Sequence, residues 1–271
     1  MRAWPAGLRA LIGCEQWTDR FAYGYEEKHK HKMMSLLAVA ALTLVQPAQK
    51  YDVDDIVQKS FRDATFVARI IKGSQKELKK INDDFAYSYR FTFMKAQVKE
   101  PFMVRLESTV EDTNLLYIIN GDRKKYSIPR IKINKTENIS LAPGKRQTPM
   151  DFGILTPSLF KGDFMVANFQ RVDRESGDLV FDITYVKPKL DDTSRHRVWI
   201  DKDKKYITKR VWFSQEGRQL ATFLYDQPKQ DGGVWFPSRC TVKNVEDNVA
   251  GVTQYESIKI NTGLSDSLFK L

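Results

Sequence analysis

The spacing of apolar residues changes once along the chain, near residue 73. Between residues 54 and 73, in DDIVQKSFRDATFVARIIKG, apolar residues recur every three or four positions. This period is typical of an amphipathic helix, whose apolar side chains gather on one face. Asp52 or Asp54 can cap its start, and Gly73 is well placed to end it. The pattern therefore predicts a long N-terminal amphipathic helix.

The segment DFAYSYRFTF, residues 84–93, carries an aromatic ring at every second position. Strict alternation is typical of a β-strand, in which successive side chains point to opposite faces of the sheet. Each buried ring removes about 150 Å² or more from water, so something large and apolar is expected opposite the ring face. Two interpretations stay open: a packed core, or an apolar cavity that admits a ligand.

Alternation continues almost to the C-terminus and predicts about eleven strands. Short turns separate them, with strong hairpin signals at NGD (120–122), RESGD (174–178) and DKDK (201–204). Because parallel neighbours would need long crossovers, these turns predict an antiparallel meander. The predicted strands are 84–94, 102–109, 114–120, 123–128, 165–173, 178–187, 194–201, 205–214, 218–226, 234–245 and 252–261.

One segment interrupts the meander. Residues 142–164, APGKRQTPMDFGILTPSLFKGDF, are rich in Pro and Gly and predict one or two short helices bounded by Pro149, Pro157 and Gly162. Their apolar side chains need a surface to pack on. The predicted fold is therefore mainly β: an unclosed, half-open antiparallel barrel whose concave face is covered by the N-terminal helix and the short mid-chain helices.

Residues 28–48, KHKHKMMSLLAVAALTLVQPA, have the layout of a secretory leader, with a positive stretch, an apolar run and then Ala48. The apolar run, Met33 to Val45, is too short to span a bilayer comfortably. Residues 1–27 fit neither a leader nor a strand series, and we interpret them as a doubtful extension of the reading frame. The sequence thus predicts cleavage near Ala48 and an exported, soluble, periplasmic domain over residues 49–271.

The formal charge of the chain is +10. Residues 1–48 hold six Lys or Arg and four Asp or Glu, so the remainder carries 38 minus 30, or +8. A positive surface favours anionic partners. However, no basic helix and no RNA-binding aromatic motif accompanies the charge, which argues against nucleic acid. A solvated basic surface and transient contact with a membrane surface remain as interpretations.

The residues for catalysis or metal binding are sparse after residue 48. His196 and Cys240 are the sole His and Cys there, and no nucleophile elbow, phosphate-binding loop or paired-His metal motif occurs. DKDKK at residues 201–205 resembles the opening of a calcium loop, but it lacks the required Gly and distal Glu. We expect no enzyme activity, no metal and no cofactor.

Several sequence motifs occur in the order of the predicted elements: EPFMVRLES, LLYIINGDRKKYSIP, HRVWIDKDKKYITKRVWF and the ending YESIKINTGLSDSLFKL. Together they resemble the LolA family of periplasmic lipoprotein carriers and lipoprotein-sorting proteins. The resemblance implies an unclosed barrel that binds acyl chains in an apolar groove. The groove residues it implies are Phe85, Tyr87, Tyr89, Phe91, Phe93, Val104 and Leu106. The implied lid residues are Phe61, Val67, Ile71, Met150, Phe152, Leu155, Leu159 and Phe160.

One position departs from the family pattern. The archetypal carrier has an arginine directly before the proline of the second strand, which helps to latch the lid, whereas this chain has Glu100 before Pro101. A carboxylate cannot donate the hydrogen bonds of a guanidinium, so Arg90 or Arg105 is the expected replacement latch.

The resemblance implies a monomeric carrier that shuttles lipoprotein acyl chains, or a related lipid, towards the outer membrane. Its partners would be an inner-membrane extractor and an outer-membrane acceptor. The alternative is a sensor or interaction module on the same fold, with the groove filled permanently by its own lid. A hydrolase on a β scaffold is disfavoured because the catalytic residues are missing.

Overall fold

Thirteen strands dominate the part of the chain that the structure describes. The structure is a computed structural model, and it describes residues 50–110, 113–162, 164–186 and 193–271. The strands are β1 (Asp63–Gly73), β2 (Phe93–Lys99), β3 (Met103–Val110), β4 (Thr113–Asn120), β5 (Arg123–Ile128), β6 (Ile133–Asn138), β7 (Met165–Val172), β8 (Leu179–Tyr185), β9 (Thr193–Ile200), β10 (Ile207–Ser214), β11 (Gln219–Asp231), β12 (Val234–Lys243) and β13 (Val249–Ile260).

All thirteen strands belong to one antiparallel, unclosed sheet. Its order is β6-β5-β4-β3-β2-β1-β13-β12-β11-β10-β9-β8-β7, so β6 and β7 are the edges and β1 pairs with β13 in the middle. Tyr126 of β5 and His196 of β9 line the same cavity although many strands separate them, so the sheet curls to face itself. The prediction of an unclosed antiparallel sheet is confirmed, with thirteen strands in the place of eleven.

The inner face of the sheet is the face that carries Phe66 of β1 and Tyr255 of β13. The ring of Phe66 lies 5.1 to 5.3 Å from the rings of Phe152, Phe236 and Tyr255, and all four side chains are buried. Edge-on and tilted ring pairs at this distance are favourable beyond the area they bury. Through Phe152, this cluster packs residues 149–152 against the sheet.

The prediction of a long helix over residues 54–73 is wrong. Helix α1 (Val53–Ile56) is a single turn, capped by Asp52, whose Oδ1 accepts a hydrogen bond from the Asp54 backbone N–H at 2.8 Å. Residues 63–73 are strand β1, with Ala64 and Phe66 buried on the inner face. A central strand is paired on both sides and is partly apolar on both faces, so its apolar residues also fit a helical period.

The prediction of a strand over residues 84–94 is wrong up to residue 92. Two short helices, α2 (Gln75–Lys79) and α3 (Asp83–Ser88), connect β1 to β2. The Ser74 hydroxyl caps α2 at the Glu77 N–H, and Asn82 Oδ1 caps α3 at the Phe85 N–H, 2.6 Å away. These caps are a recognisable helix-start signal, and they outweigh the alternation of rings that follows.

The other ten predicted strands coincide with β3, β4, β5 and β7 to β13. The three predicted hairpin turns are confirmed, at Gly121, at residues 173–178 and at residues 201–206. Strand β6 was not predicted, because Ile133 is the sole apolar residue in it.

Two predicted mid-chain helices are confirmed as the 3₁₀ helices Pro149–Phe152 and Pro157–Phe160, and a third 3₁₀ helix, Pro143–Lys145, was not predicted. We call residues 142–162, which contain them, the insertion. Two further 3₁₀ helices are Pro129–Ile131 and Asp266–Phe269, the second with Phe269 fully buried beside β3 and β4.

Within the described residues, no helix is both long and apolar enough to cross a membrane. The leader, its cleavage near Ala48 and the doubtful residues 1–27 lie outside those residues. The domain boundary at residues 48 and 49 therefore stays a prediction.

Candidate functional site

An apolar cavity of about 190 Å³ lies between α3 and the inner face of the sheet. Its walls combine strands that are far apart in sequence with the loop that follows α3. The strand side chains are Ala68, Ile70, Met94, Arg210, Phe223, Cys240, Val242, Thr253 and Tyr255, and the covering side chains are Phe85, Ser88, Tyr89, Phe91, Gln147, Asp151 and Phe152. Ligand sites usually enclose about 300–1,000 Å³, so this cavity is small for a lipid in the closed state.

Tyr89 closes the apolar cavity by resting on a glycine of β13. A β-carbon added at Gly251 would lie only 2.2 Å from Tyr89 Cε1, which is far inside van der Waals contact. One added at Gly73 would lie 3.4 Å from Tyr89 Cδ1, an ordinary contact distance. The Thr253 hydroxyl donates to the Tyr89 phenol over 3.4 Å, and burial raises the pKa of Tyr89, so the phenol is neutral. The absence of a side chain at Gly251 thus creates the notch for the Tyr89 ring.

Phe85 is the second ring that α3 presents to the sheet. Its centroid lies 5.6 Å from Tyr89, 5.9 Å from Phe223 and 6.4 Å from Trp212. The cap by Asn82 fixes the start of α3 and hence the direction of the Phe85 side chain. The ring contacts of Phe85 and Tyr89 therefore hold α3 over the cavity.

A second, more polar cavity of about 810 Å³ adjoins the first. The two share the side chains of Phe85, Ser88, Gln147, Asp151, Arg210 and Phe223 as a common wall. Beyond that wall the second cavity is lined by Lys124, Tyr126 and Glu137 from β5 and β6, and by Tyr185 and His196 from β8 and β9. The site is thus a cleft with an apolar end under α3 and a polar end between the two halves of the sheet.

An ion pair between a buried Arg210 and a half-buried Asp151 lies between the two cavities. The Arg210 guanidinium lies 2.9 Å from Asp151 Oδ1 and 4.1 Å above the ring of Phe223. Asp151 belongs to the insertion, and its backbone carbonyl accepts a hydrogen bond from the Tyr225 hydroxyl at 3.2 Å. Arg210 and Tyr225 lie on neighbouring strands, so these contacts anchor the insertion to β10 and β11.

Gly153 allows the insertion to approach the sheet closely. It has a φ of +89°, and a β-carbon there would lie 2.6 Å from Pro237 Cγ. The Ile207 N–H donates to the Gly153 carbonyl at 2.8 Å, and the Gln58 N–H donates to the Leu155 carbonyl at the same distance. Backbone hydrogen bonds therefore hold the insertion to β10 and to the segment before β1, in addition to the ring cluster.

Cys240 and His196, the candidates for a nucleophile and a base, are both uncharged in the folded protein. Burial raises the pKa of the Cys240 thiol to about 12, so it stays protonated and behaves as a small apolar side chain. Burial and the nearby charge of Arg210 lower the pKa of His196 well below its ordinary value, so the imidazole is neutral. No group of His, Cys, Asp or Glu within the described residues could hold a metal ion.

Comparison with solved structures places this architecture among known folds. A domain from Vibrio parahaemolyticus, assigned to outer membrane lipoprotein sorting, matches with a TM-score of 0.54 at 13% identity, over 80% of this chain and 92% of that one. A LolA superfamily protein from Nitrosomonas europaea matches with a TM-score of 0.51 at 15% identity, over 80% and 94%. The chain has a LolA-like fold. The resemblance predicted from the sequence is thus confirmed at the level of the fold.

Sequence comparison adds less to this assignment. A family model described as an uncharacterized protein matches residues 175–271, which include strands β8 to β13. No curated protein matches the chain.

The residues predicted for the LolA-like groove fall in three different environments. Phe85, Tyr89 and Phe91 line the apolar cavity from α3 and the loop after it. The Tyr87 side chain is 57% exposed on the other side of α3, and Phe93 is 43% exposed at the start of β2. Val104 and Leu106 are buried on β3 and line neither cavity.

The predicted lid residues separate in the same way. Phe61 is buried before β1, Val67 is half-buried on β1, and Ile71 is 59% exposed near the end of that strand. In the insertion, Phe152 lines the apolar cavity. The remaining predicted lid residues, Met150, Leu155, Leu159 and Phe160, pack in or against the core.

Neither predicted latch arginine contacts the inner face. Arg90 is exposed and lies 5.0 Å from the ring of Tyr87. Arg105 bonds to Glu107 Oε1 at 2.6 Å and to the Leu268 carbonyl at 2.9 Å, beside the C-terminal segment. The latch role of both residues therefore stays a prediction without a contact that favours it.

Glu100, the residue in the place of the family arginine, contacts the insertion. Its Oε1 accepts a hydrogen bond from the Thr156 hydroxyl at 2.8 Å. Burial raises the pKa of Glu100, although hydrogen bonds from Ser158 and Thr156 act in the opposite direction. The residue thus joins the β2–β3 turn to the insertion as a hydrogen-bond acceptor.

Glu100→Gln is expected to increase the free energy of unfolding at pH 7. The raised pKa means that the folded state binds the Glu100 proton more tightly than the unfolded state does. The stability that this proton binding contributes is complete below the ordinary pKa and is lost as pH rises through the raised pKa. Glutamine keeps an acceptor for Thr156 and avoids the buried charge. Urea unfolding at pH 7 and about pH 4 checks the result: the variant's advantage should shrink towards the lower pH. An advantage that is absent at pH 7 would refute this account of Glu100.

The sequence analysis missed Gly251, Arg210 and His196 as site residues. Gly251 and Arg210 lie in ordinary strand patterns, and their roles depend on Tyr89 and Asp151, which are distant in sequence. The signal that was available for α3 was local: Asn82 followed by Asp83 and Asp84 is a helix start.

Proposed function

We propose that this protein is a non-catalytic carrier that binds the acyl chain of a lipoprotein, or of a related lipid, in the apolar cavity. The observation that carries the proposal is an apolar cavity on the inner face of the sheet that is closed by two rings, Phe85 and Tyr89, on one short helical segment. In this proposal α3 is the movable part of the lid, and the insertion is its fixed wall.

A movable α3 reconciles the small cavity with a long ligand. Burying an acyl chain of about 16 methylenes contributes about 13 kcal/mol, which corresponds to nanomolar binding or tighter before costs. A carrier must also release its cargo. Because Phe85 and Tyr89 occupy the space that a chain would enter, their displacement offsets part of this gain and leaves binding reversible.

Ala68→Phe is expected to weaken binding of a fluorescent fatty-acid probe by about ten-fold. Ala68 lines the apolar cavity from β1, and a ring there excludes about two methylenes of the chain at about 0.8 kcal/mol each. Fluorescence titration of the purified protein measures the change. The substitution leaves the lid intact, so a loss of binding reports the cavity itself.

Val67→Phe is the matched control for this experiment. Val67 precedes Ala68 on β1 and points to the opposite face of the sheet. The control should bind the probe as the unaltered protein does. Equal affinity in both variants, with folding retained, would place the ligand elsewhere.

A second candidate function is an interaction module whose groove is filled by its own lid. The closed state, in which Tyr89 sits tightly against Gly251, favours this candidate. Mass spectrometry of lipid extracted from the purified protein separates the two. A carrier should contain lipid or take up the probe, and a filled module should do neither.

The remaining parts of the proposal depend on the fold and the leader. We propose export to the periplasm and transport towards the outer membrane, because the neighbouring structures include one assigned to lipoprotein sorting. We likewise propose an inner-membrane extractor and an outer-membrane acceptor as partners, and a monomeric state.

A further inference from the structure

The polar cavity has buried polar atoms at its walls that lack hydrogen-bond partners. Among the described residues that line it, these atoms are His196 Nδ1, Gln147 Oε1 and Arg210 Nε. His196 and Arg210 are each only 4% exposed. Buried polar groups in folded proteins are nearly always hydrogen-bonded, so three unpaired atoms around one cavity require an explanation.

His196 is the most informative of the three. Its Nε2 lies 3.4 Å from the Tyr185 hydroxyl, whereas Nδ1 has no partner. Burial and Arg210 keep the ring neutral, and a neutral imidazole has one donor and one acceptor nitrogen. Gln147 Oε1 is an acceptor only. The polar end therefore offers hydrogen bonding from uncharged groups.

The charges around the polar cavity are balanced. Arg210 is paired with Asp151 at 2.9 Å, and Lys124 lies 3.6 Å from Glu137. Lys145 and Asp84 complete the charged lining, which gives three positive and three negative side chains. An anionic head group would have to compete with these carboxylates, so an uncharged head group suits the cavity better.

The polar cavity also has the right position for a head group. It shares Phe85 and Phe223 with the apolar cavity, so a chain that lies under α3 would emerge into the polar cavity, which His196 and Gln147 line. A ligand that fills both spaces has an apolar chain and a compact hydrogen-bonding end.

We propose that the polar cavity binds the uncharged head group of the same ligand, an ester or amide that carries hydroxyl groups, through His196 and Gln147. Acylglycerols are the simplest members of this class. The inference depends on the proposed function, because it requires the chain to occupy the apolar cavity.

Competition between two lipids of equal chain length tests this inference. 1-Oleoylglycerol and oleate are each titrated against the bound fluorescent fatty-acid probe. Loss of two hydrogen bonds corresponds to about ten-fold in affinity, so 1-oleoylglycerol should compete about ten-fold better than oleate. His196→Phe and Gln147→Met should each reduce this preference. With His196→Phe, at a position that lines the polar cavity but not the apolar one, oleate should compete as before.

Gln170→Met, at an exposed glutamine of β7, is the matched control and should keep the full preference. The near-ultraviolet circular dichroism of each variant checks folding. If the unaltered protein binds no probe, the proposed function itself fails. If it binds the probe and both lipids equally, or prefers oleate, the carrier function stands and the head-group inference is overturned.

Discussion

Gly251→Ala is expected to tighten binding of a fluorescent fatty-acid probe by about ten- to a hundred-fold, because its methyl group would occupy the space that the Tyr89 ring fills. The added methyl carbon would lie 2.2 Å from Tyr89 Cε1, so the ring must leave its notch. Loss of one buried aromatic contact weakens the closed state by about 1.5–3 kcal/mol. The lid competes with the ligand for the cavity, so the ligand gains what the lid loses. Fluorescence titration measures the affinity directly.

Gly73→Ala is the graded control for this experiment. Its added carbon would lie 3.4 Å from the same ring, and neither glycine has a positive φ, so alanine suits both backbones. We expect little change in probe affinity for Gly73→Ala. In a Tyr89→Ala background, Gly251→Ala should have no further effect. An unchanged affinity for a folded Gly251→Ala single variant would mean that Tyr89 does not gate the cavity.

The second half of the sheet was predictable because its connections are local. Short turns between β7 and β13 leave few ways to pair the strands, so alternation and turn chemistry are sufficient. The proline-bounded insertion was predictable for the same reason, since Pro149 and Pro157 mark helix starts irrespective of tertiary contacts.

The prediction for the first half of the sheet failed where tertiary contacts decide between a helix and a strand. The residues of β1 have apolar side chains on both faces, since Ala64 and Phe66 are buried on the inner face and Val67 is half-buried on the other. Their spacing therefore also fits a helix. In residues 84–92 the alternating rings suggested a strand, but Asn82 starts a helix, and three of the four rings line the cavity from α3 and the loop after it.

The candidate site illustrates a further limit of sequence analysis. The resemblance implied that Phe85, Tyr87, Tyr89, Phe91 and Phe93 border an apolar groove. Of these, Phe85, Tyr89 and Phe91 line the apolar cavity, whereas Tyr87 and Phe93 are exposed. What holds the space closed was not predicted, because it depends on a glycine more than 150 residues away in the chain. A missing side chain leaves no pattern in the sequence unless its partner is known.

The ion pair between Asp151 and Arg210 determines how firmly the insertion is held. Asp151→Ala is expected to lower the free energy of unfolding by about 3–5 kcal/mol, because it leaves a buried guanidinium without a counter-charge. The Arg210 side chain is only 5% exposed, and Asp151 also accepts a hydrogen bond from the Thr148 N–H at 2.9 Å. Chemical denaturation with intrinsic fluorescence measures the change.

Two further variants separate the cost of the unpaired charge from a general loss of packing. Arg210→Met in the Asp151→Ala background removes the unpaired charge and keeps apolar contact with Phe223, so it should recover a large part of the lost stability. Glu256→Ala, which breaks an exposed pair with Arg69, should change stability by less than about 1 kcal/mol. If the double variant is no more stable than Asp151→Ala, the loss comes from the cap at Thr148 and from packing of the insertion. The buried charge between the two cavities would then have no part in holding the insertion against the sheet.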